Sequence, residues 1–394
     1  MNPTESRCLL ADVEAFCQEL RPIEELSYAQ QQYNAELIPL AQRHNLLGLI
    51  VPPEHGGRGA DNLTYIKALT RIGQEGTGCR TFFSGHLSIG CYPIITWGSP
   101  ALREKYLPRA ARGECILAFG LTEPDAGSNP LEMTTTFRRT SDGYRLSGVK
   151  YLISNGGIAD AIIVFAYPAE MPETEPRRIS AFVLDTKQPG FIVEDLHAKM
   201  GMPTSNTAMF EMSEAFVPRE NLLGEEGQGF RIAMGTLVSG RMSVAAGCLG
   251  VIEDCLTESL EYAKNRSQHG KEIGRHQLVQ EHLAMIEMDR ITSECLLWRA
   301  VEAKEAAEAN RRDASLQMLA DRLAAQAKFH CTNAAWDAAD RAVQIFGGRG
   351  WSTLYRPGRH LMDVRVCRIY EGTDEILKLK LAAMLLGKEY AAFT

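Results

Sequence analysis

The sequence predicts an α+β protein in three successive parts: helical, then mainly antiparallel β, then helical again. Three observations predict this. Helix-forming residues dominate the first part, short extended runs bounded by turn residues fill the middle, and apolar residues recur at helical spacing over long stretches near the C-terminus. The boundaries that follow are 1–115 for an N-terminal α-helical domain, 116–227 for a middle β-domain and 228–394 for a C-terminal helical bundle. A chain of 394 residues is also longer than a single hydrophobic core usually serves.

The elements follow in order. Glu24 to Leu46 mixes Glu, Gln, Ala and Leu and predicts a helix, stopped by the prolines and glycines of "GLIVPPEHGGRG". A second helix is expected from about Leu63 to Glu75. "SPALREKYLPRAARGE" predicts a short helix capped by Ser99, opened by Pro100 and broken at Pro108. In "MTTTFRRTSDGYRLSGVKYLIS" the pair Asp142-Gly143 between two extended runs signals a hairpin. "AIIVFAY", "ISAFVLD", "FIVEDL" and "NTAMFEM" supply further strands. After residue 228, Leu316, Leu319, Leu323 and Ala327 share one helix face, as do Val279, Leu283 and Ile286. Long antiparallel helices joined by short turns predict a bundle, ending near "FGGRGWSTLYRPGR".

Composition excludes some classes. The 45% apolar and 23% charged content is that of a soluble globular chain, and a net charge of −7 disfavours nucleic-acid binding. The ten cysteines form no CxxC pair and no metal-finger spacing, so reduced, packed thiols in the cytoplasm are expected. "MNPTESRCLLADVEAF" carries acids rather than a long apolar run, so neither a signal peptide nor a membrane span is expected.

The sequence lacks GxGxxG after a strand, the Walker lysine, HExxH and GxSxG. A nucleotide, if bound, is held without a Rossmann unit, and no metal site is predicted. In "AFGLTEPDAGSNP", Thr122, Gly127 and Ser128 offer donors to a phosphate or a polar ring edge, or simply turn between domains. "KYLISNGG" puts Ser154 and Asn155 at a strand end. "VQIFGGRGW" stops a helix at Gly347 and Gly348, or lets a phosphate approach beside Arg349. "CRIYEGTDEI" sets Glu371 between Tyr370 and Gly372. A helix capped by Thr373 accounts for Asp374 and Glu375 as first-turn acids, but Glu371 lies before that cap, which favours a chemical role.

Taken together, "GLIVPPEHGG", "LTEPDAGSN", "KYLISNGG", "VPRENLLGEEGQGF", "GRMSVAAGCLG", "NRSQHGKEIGRHQLVQEHLA", "AVQIFGGRGW" and "DVRVCRIYEGTDEI" resemble the acyl-CoA dehydrogenase family of flavoenzymes, in order and near-family spacing from about residue 35 onward. The resemblance implies a helical domain, a β-domain and a four-helix bundle, with FAD bound without GxGxxG. It implies α,β-dehydrogenation of an acyl thioester: a base takes the α-proton while hydride leaves the β-carbon for flavin N5. Such a proton is removable only if charge on the thioester oxygen is stabilised, each preorganised donor being worth about 3 kcal/mol.

By this resemblance Glu371 is the base, and its own N–H with a ribityl hydroxyl holds the thioester oxygen. Tyr370 walls the acyl pocket, Gly372 admits substrate against the backbone, and Ser128 and Arg241 complete the substrate contacts. Burial beside an apolar chain is expected to raise the Glu371 pKa. Some relatives carry the base just before the arginine of the bundle helix; here that position is Gly240, leaving room for Glu371. Leu121, Thr122, Gly127 and Ser128 would hold the flavin edge and pyrophosphate, and Ser154 would reach N5. Arg266, Gln344, Gly347 and Gly348 would serve the FAD of a neighbouring subunit, with Thr373 and Glu375 near the same cofactor. Shared sites imply a homotetramer, a dimer of dimers.

Several positions depart from the family pattern. Tyr151-Leu152-Ile153-Ser154 replaces an aromatic-Ile-Thr sequence, His269 follows Arg266 where a phenylalanine is usual, Val238 stands for an aspartate, and Asn129 follows Ser128. They leave the carrier open between CoA and an acyl-carrier protein. The expected electron acceptor is an electron-transfer flavoprotein, with oxygen as the alternative. Two readings compete with the dehydrogenase. A flavin monooxygenase on the same scaffold would dispense with Glu371, and a non-catalytic scaffold would show no flavin bleaching by any thioester.

Overall fold

The computed structural model describes residues 1–170 and 178–392. The N-terminal part contains α1 (Pro3–Ala29), α2 (Leu37–Arg43), α3 (Asn62–Gly73), α4 (Thr77–Phe83), α5 (Tyr92–Trp97) and α6 (Pro100–Ala111). A π-helical stretch, Ser84–Cys91, joins α4 to α5. Asn2 and Glu5 form a capping box that starts α1. The helix expected over Glu24–Leu46 is in fact two. Gln31 adopts a left-handed φ of 55°, and Asn34 turns inward to donate 2.8 Å to the buried Glu24 carboxylate. A tertiary hydrogen bond has overridden local propensity. Pro108 does not break α6, which is capped by Ser99 as expected and runs on to Ala111. Buried Tyr106, Leu107, Ala110 and Ala111 hold the turns on either side of it.

The middle part holds β1 (Leu117–Gly120), β2 (Thr136–Arg139), β3 (Gly143–Ser154), β4 (Ala161–Pro168), β5 (Ser180–Asp185), β6 (Phe191–Asp195), β7 (Thr207–Pro218) and β8 (Leu222–Leu223). The Asp142-Gly143 hairpin forms, pairing β2 with β3 antiparallel. Sheet order is β6-β7-β3-β2-β4-β5-β8, with β1 parallel to β4. Strand β4 explains its own continuous apolar run. Ile162, Val164 and Ala166 face a core within the sheet, while Ala161, Ile163 and Phe165 face the helical core. A strand covered on both faces needs no polar side.

The last part holds α7 (Gly229–Asn265), a hairpin of β9 (Ser267–Gln268) and β10 (Lys271–Glu272), α8 (Gln277–Ala309), α9 (Ala314–Phe346), α10 (Arg356–Val364) and α11 (Asp374–Leu386). Ile286, Leu323 and Ala327 are buried along the faces that the periodicity predicts. Helix α7 is about 55 Å long. It is long and apolar enough to cross a membrane, but 83% of its most apolar window is buried among neighbouring helices, so it is the axis of the bundle. Small residues bring α3 against it: a Cβ on Gly250 would lie 2.1 Å from the Thr70 carbonyl oxygen. All ten cysteines are free, and only Cys8 and Cys295 are exposed.

Candidate active site

The site is built where the start of α11 meets α7 and α9. Glu371 and Gly372 both take left-handed backbone, with φ of 57° and 97°. Glycine adopts this conformation freely; a glutamate in it must be held. Two helices supply the hold. Arg241 Nε of α7 donates to the Glu371 carbonyl oxygen at 3.1 Å, and Lys328 Nζ of α9 donates to the Gly372 carbonyl oxygen at 2.7 Å. Thr373 caps α11 by accepting from the Ile376 N–H at 3.2 Å. Arg368 pairs with Asp374 at 2.8 Å. Glu375 is exposed.

The Glu371 side chain then points at α7. A Cβ on Gly240 would lie 2.2 Å from Glu371 Oε2, so the glycine is the space the carboxylate occupies. Oε2 is buried with no hydrogen-bond partner among the described residues. Burial pushes the carboxyl up to about 7, against the opposing pull of Arg241, Arg80 and Lys328. The raised value agrees with the expectation from sequence. Among the described residues no acceptor engages the Glu371 N–H, which stays free as a donor.

Arg241, expected at the substrate, joins the Glu371 carbonyl to Asp321, 3.1 Å away. The Tyr370 hydroxyl is bonded to Arg80 and lies 3.1 Å from Cys367 Sγ. Beyond Asp321 a cavity of 1520 Å³ runs between α5, α7, α9 and α11, lined by Trp97, Met234, Val238, Met318 and Lys380 among others. Its volume and mainly apolar walls suit a bulky, largely apolar group.

A second group of predicted residues gathers at the end of β3. Leu121 and Thr122 leave β1, and their carbonyls accept from Lys150 Nζ at 3.2 Å and the Tyr151 N–H at 2.9 Å. Lys150 also pairs with Glu123 at 2.8 Å, both side chains buried. Glu123 accepts from the Thr134 N–H at 2.6 Å and the Thr135 N–H at 3.1 Å. Burial opposes its ionisation, yet Lys150 and these donors hold the carboxyl down to about 2. This buried pair fixes the loop that carries Gly127 and Ser128, both of which are exposed. A Cβ added at Gly127 would meet nothing within 4 Å.

The β3–β7 register slips between Lys150 and Ile153. Leu152 takes a φ of 58° at this bulge and is 57% exposed, whereas Ile153 is buried in the sheet core. Ser154 is half-buried beside it. Replacing Lys150 with Met is expected to strand the Glu123 charge and cost about 3–5 kcal/mol. Denaturant titration of the purified holoprotein measures this, and bound flavin is expected to fall with it.

The third group lies at the far end of α7. Tyr262 stacks on Phe346 with ring centroids 4.1 Å apart, which ties the end of α7, followed by exposed Arg266, to the end of α9 that carries Gln344, Gly347 and Gly348. Gly347 has a φ of 60° and ends α9, as its helix-stop reading requires. Within one chain this group is about 39 Å along α7 from Gly240.

These groups fit FAD. An exposed apolar platform at Leu152, hydroxyls at Ser128 and Ser154, open backbone at Gly127 and a separate cation at Arg266 match a flat ring and a pyrophosphate. Sequence reasoning missed Lys150 with Glu123, Lys328 and Arg80. Each is a charged residue inside an apolar stretch, which was the available signal.

The buried, unpartnered carboxylate at the bundle of this helical–β–helical chain marks a candidate acid–base group. Comparison with known proteins specifies the family. Residues 3–114, 118–215 and 227–386 match the acyl-CoA dehydrogenase N-terminal, middle and C-terminal domains. An acyl-CoA dehydrogenase of Bacillus subtilis is 37% identical over 369 residues, 94% of each chain. Butyryl-CoA dehydrogenase from Megasphaera elsdenii is 33% identical in its solved structure, with a TM-score of 0.89 over 98% of this chain and 99% of that one. The prolyl acyl carrier protein oxidase AnaB is 27% identical, with a TM-score of 0.88 over 98% of this chain and all of that one. The chain belongs to the acyl-CoA dehydrogenase family, and its chemistry is FAD-dependent dehydrogenation of an acyl thioester.

Proposed function

We propose that Glu371 is the base that removes the α-proton of the acyl thioester. The observation that carries this is the buried, unpartnered Oε2, placed against Gly240 by a backbone clamped from two helices. Desolvation makes the carboxylate basic enough to share its task near neutral pH. The Glu371 N–H donates to the thioester oxygen as negative charge develops there. Gly372 keeps substrate close to the main chain, Tyr370 walls the acyl end, and Arg241 positions the base through its carbonyl. FAD, when bound, accepts the hydride from the β-carbon.

Leu121, Thr122, Gly127, Ser128 and Ser154 hold the flavin, with Ser128 also facing substrate and Thr373 and Glu375 nearby. Arg266, Gln344, Gly347 and Gly348 serve a neighbouring subunit's FAD in a homotetramer. The length of α7 supports this, since its two ends are too far apart to serve one flavin and one pyrophosphate. The acyl group arrives on CoA or an acyl-carrier protein, electrons leave to an electron-transfer flavoprotein, and the protein works in the cytoplasm. The three domains divide at about residues 115 and 227.

Anaerobic titration of the purified flavoprotein with a thioester panel, on CoA and on carrier protein, tests the reading. Bleaching of the flavin is expected with at least one thioester; no bleaching by any of them rejects it. The pH profile adds a second check. Ionised Glu371 is the active form, so kcat/KM is expected to rise about tenfold per pH unit below pH 7 and level off above it. A flat profile from pH 5 to 9 would contradict the base assignment.

A further inference from the structure

Two cysteines from distant parts of the chain meet beside Tyr370. Cys248 lies on α7, directly after Gly247, and Cys367 lies three residues before Tyr370. They are 1% and 0% exposed, and their thiols hydrogen-bond to each other. Cys367 Sγ is also 3.1 Å from the Tyr370 hydroxyl, to which Arg80 Nη2 donates. A Cβ on Gly247 would lie 2.5 Å from Arg80 Nε, so the guanidinium rests on the turn of α7 that carries Cys248. Two sulfurs in hydrogen-bond contact need only a small approach to bond.

Charge sets this pair apart from the other thiols. Arg80 is buried, its Nε has no partner, and no carboxylate pairs with it among the described residues. A cation held out of water in this way favours an anion beside it. Elsewhere burial pushes up the thiols of Cys17, Cys79, Cys91, Cys115, Cys255 and Cys331. Cys367 goes the other way. Its hydrogen bond with Cys248 draws it below an ordinary thiol, and Arg80, Tyr370 and Lys328 pull in the same direction against burial. A thiolate is the form of cysteine that oxidants attack, and a second thiol in reach resolves the product. Half-buried Tyr370 is the member of the cluster that meets solvent, so a small neutral oxidant enters past its ring.

We propose that Cys367 and Cys248 form a peroxide-oxidised modification site whose disulfide slows the enzyme. The Cys367 thiolate attacks one oxygen of hydrogen peroxide. An S–O bond forms, the O–O bond breaks, and the departing hydroxide takes a proton and leaves as water. Cys248 Sγ then attacks the sulfenic sulfur. The S–S bond forms, the S–O bond breaks, and the hydroxide leaves as water with the Cys248 proton. Two thiols lose two electrons, and one peroxide becomes two waters. The disulfide ties Cys367 to α7, releases the Tyr370 hydroxyl and removes the counter-charge of Arg80. Glu371 directly follows Tyr370, so the carboxylate leaves its place against Gly240. The effect on rate rests on Glu371 as base; the cross-link does not.

The test exposes the substrate-free holoenzyme to hydrogen peroxide, alkylates the remaining thiols and maps the peptides. A Cys248–Cys367 cross-linked peptide is expected, with kcat lowered about 100-fold, and dithiothreitol should restore both. Absence of that peptide overturns the proposal, whatever happens to activity. A complete cross-link with unchanged kcat also overturns it, and leaves the base assignment to the Glu371→Gln measurement. Cys248→Ala should keep the activity of untreated enzyme, form no cross-link and leave Cys367 as a sulfenic acid that dimedone traps. Dimedone on other cysteines but not on Cys367 overturns the proposal. Cys8→Ser with Cys295→Ser, which lacks both exposed thiols, should respond to peroxide as wild type does; loss of the response there assigns it to the surface and overturns the proposal. The wild-type peptide map decides the cross-link whether or not the variants load FAD.

Discussion

Glu371→Gln is expected to keep FAD and bind thioester while kcat falls by about ten-thousand-fold. The amide is nearly the same size, so the space against Gly240 stays filled. The backbone clamp from Arg241 and Lys328 acts on carbonyl oxygens and does not involve the side chain. What the amide lacks is a basic oxygen. Stopped-flow reduction under anaerobic conditions reads the chemical step directly, and flavin absorbance on adding substrate reads binding. Normal reduction in this variant would reject the assignment. Loss of flavin or of thioester binding would instead mean that the charge of Glu371 has a structural part.

Gly240→Ala is expected to lower kcat about 100-fold while leaving the fold intact. The new methyl would lie 2.2 Å from the Glu371 carboxylate, so one of them must move. The mobile partner is the end of a side chain, which yields cheaply. Stability should therefore stay within about 0.5 kcal/mol of wild type. A displaced base is costly in rate, since a shift of about 1 Å can lose a hundredfold. Unchanged kcat with unchanged stability would show that Glu371 does not work from the position it occupies against α7. Gly240→Glu combined with Glu371→Gln brings a carboxylate to the same space from the other side, and partial recovery over Glu371→Gln alone is expected.

The order of helices and strands was readable because each rests on local pattern. The Asp142-Gly143 hairpin and the faces holding Leu323 and Ile286 depend on neighbours a few residues away. The errors came where distant contacts decide. Nothing near Gln31 announces that Asn34 will turn to Glu24 and Thr204 and end the helix there. Pro108 looks like a stop until the buried residues around it are seen. The site divides in the same way. Glu371, Gly372 and Gly240 were singled out through the resemblance to the family, and the structure brings the Glu371 carboxylate against Gly240. The distant partners of this segment were not: Lys328 reaches Gly372 across 44 residues and Arg80 reaches Tyr370 across 290. Charged residues inside apolar stretches mark such partners without saying whom they meet.

The unbroken run of α7 has a consequence for how the protein can change. Gly240 faces the Glu371 carboxylate in its first half, and Tyr262 stacks on Phe346 near its end. One inserted residue between them would turn the ends by about 100° and part them by about 1.5 Å. Single insertions and deletions should thus be purged from this stretch yet persist in surface turns such as Thr140–Gly143, so that the gene inherits a fixed reading length here even where its letters drift.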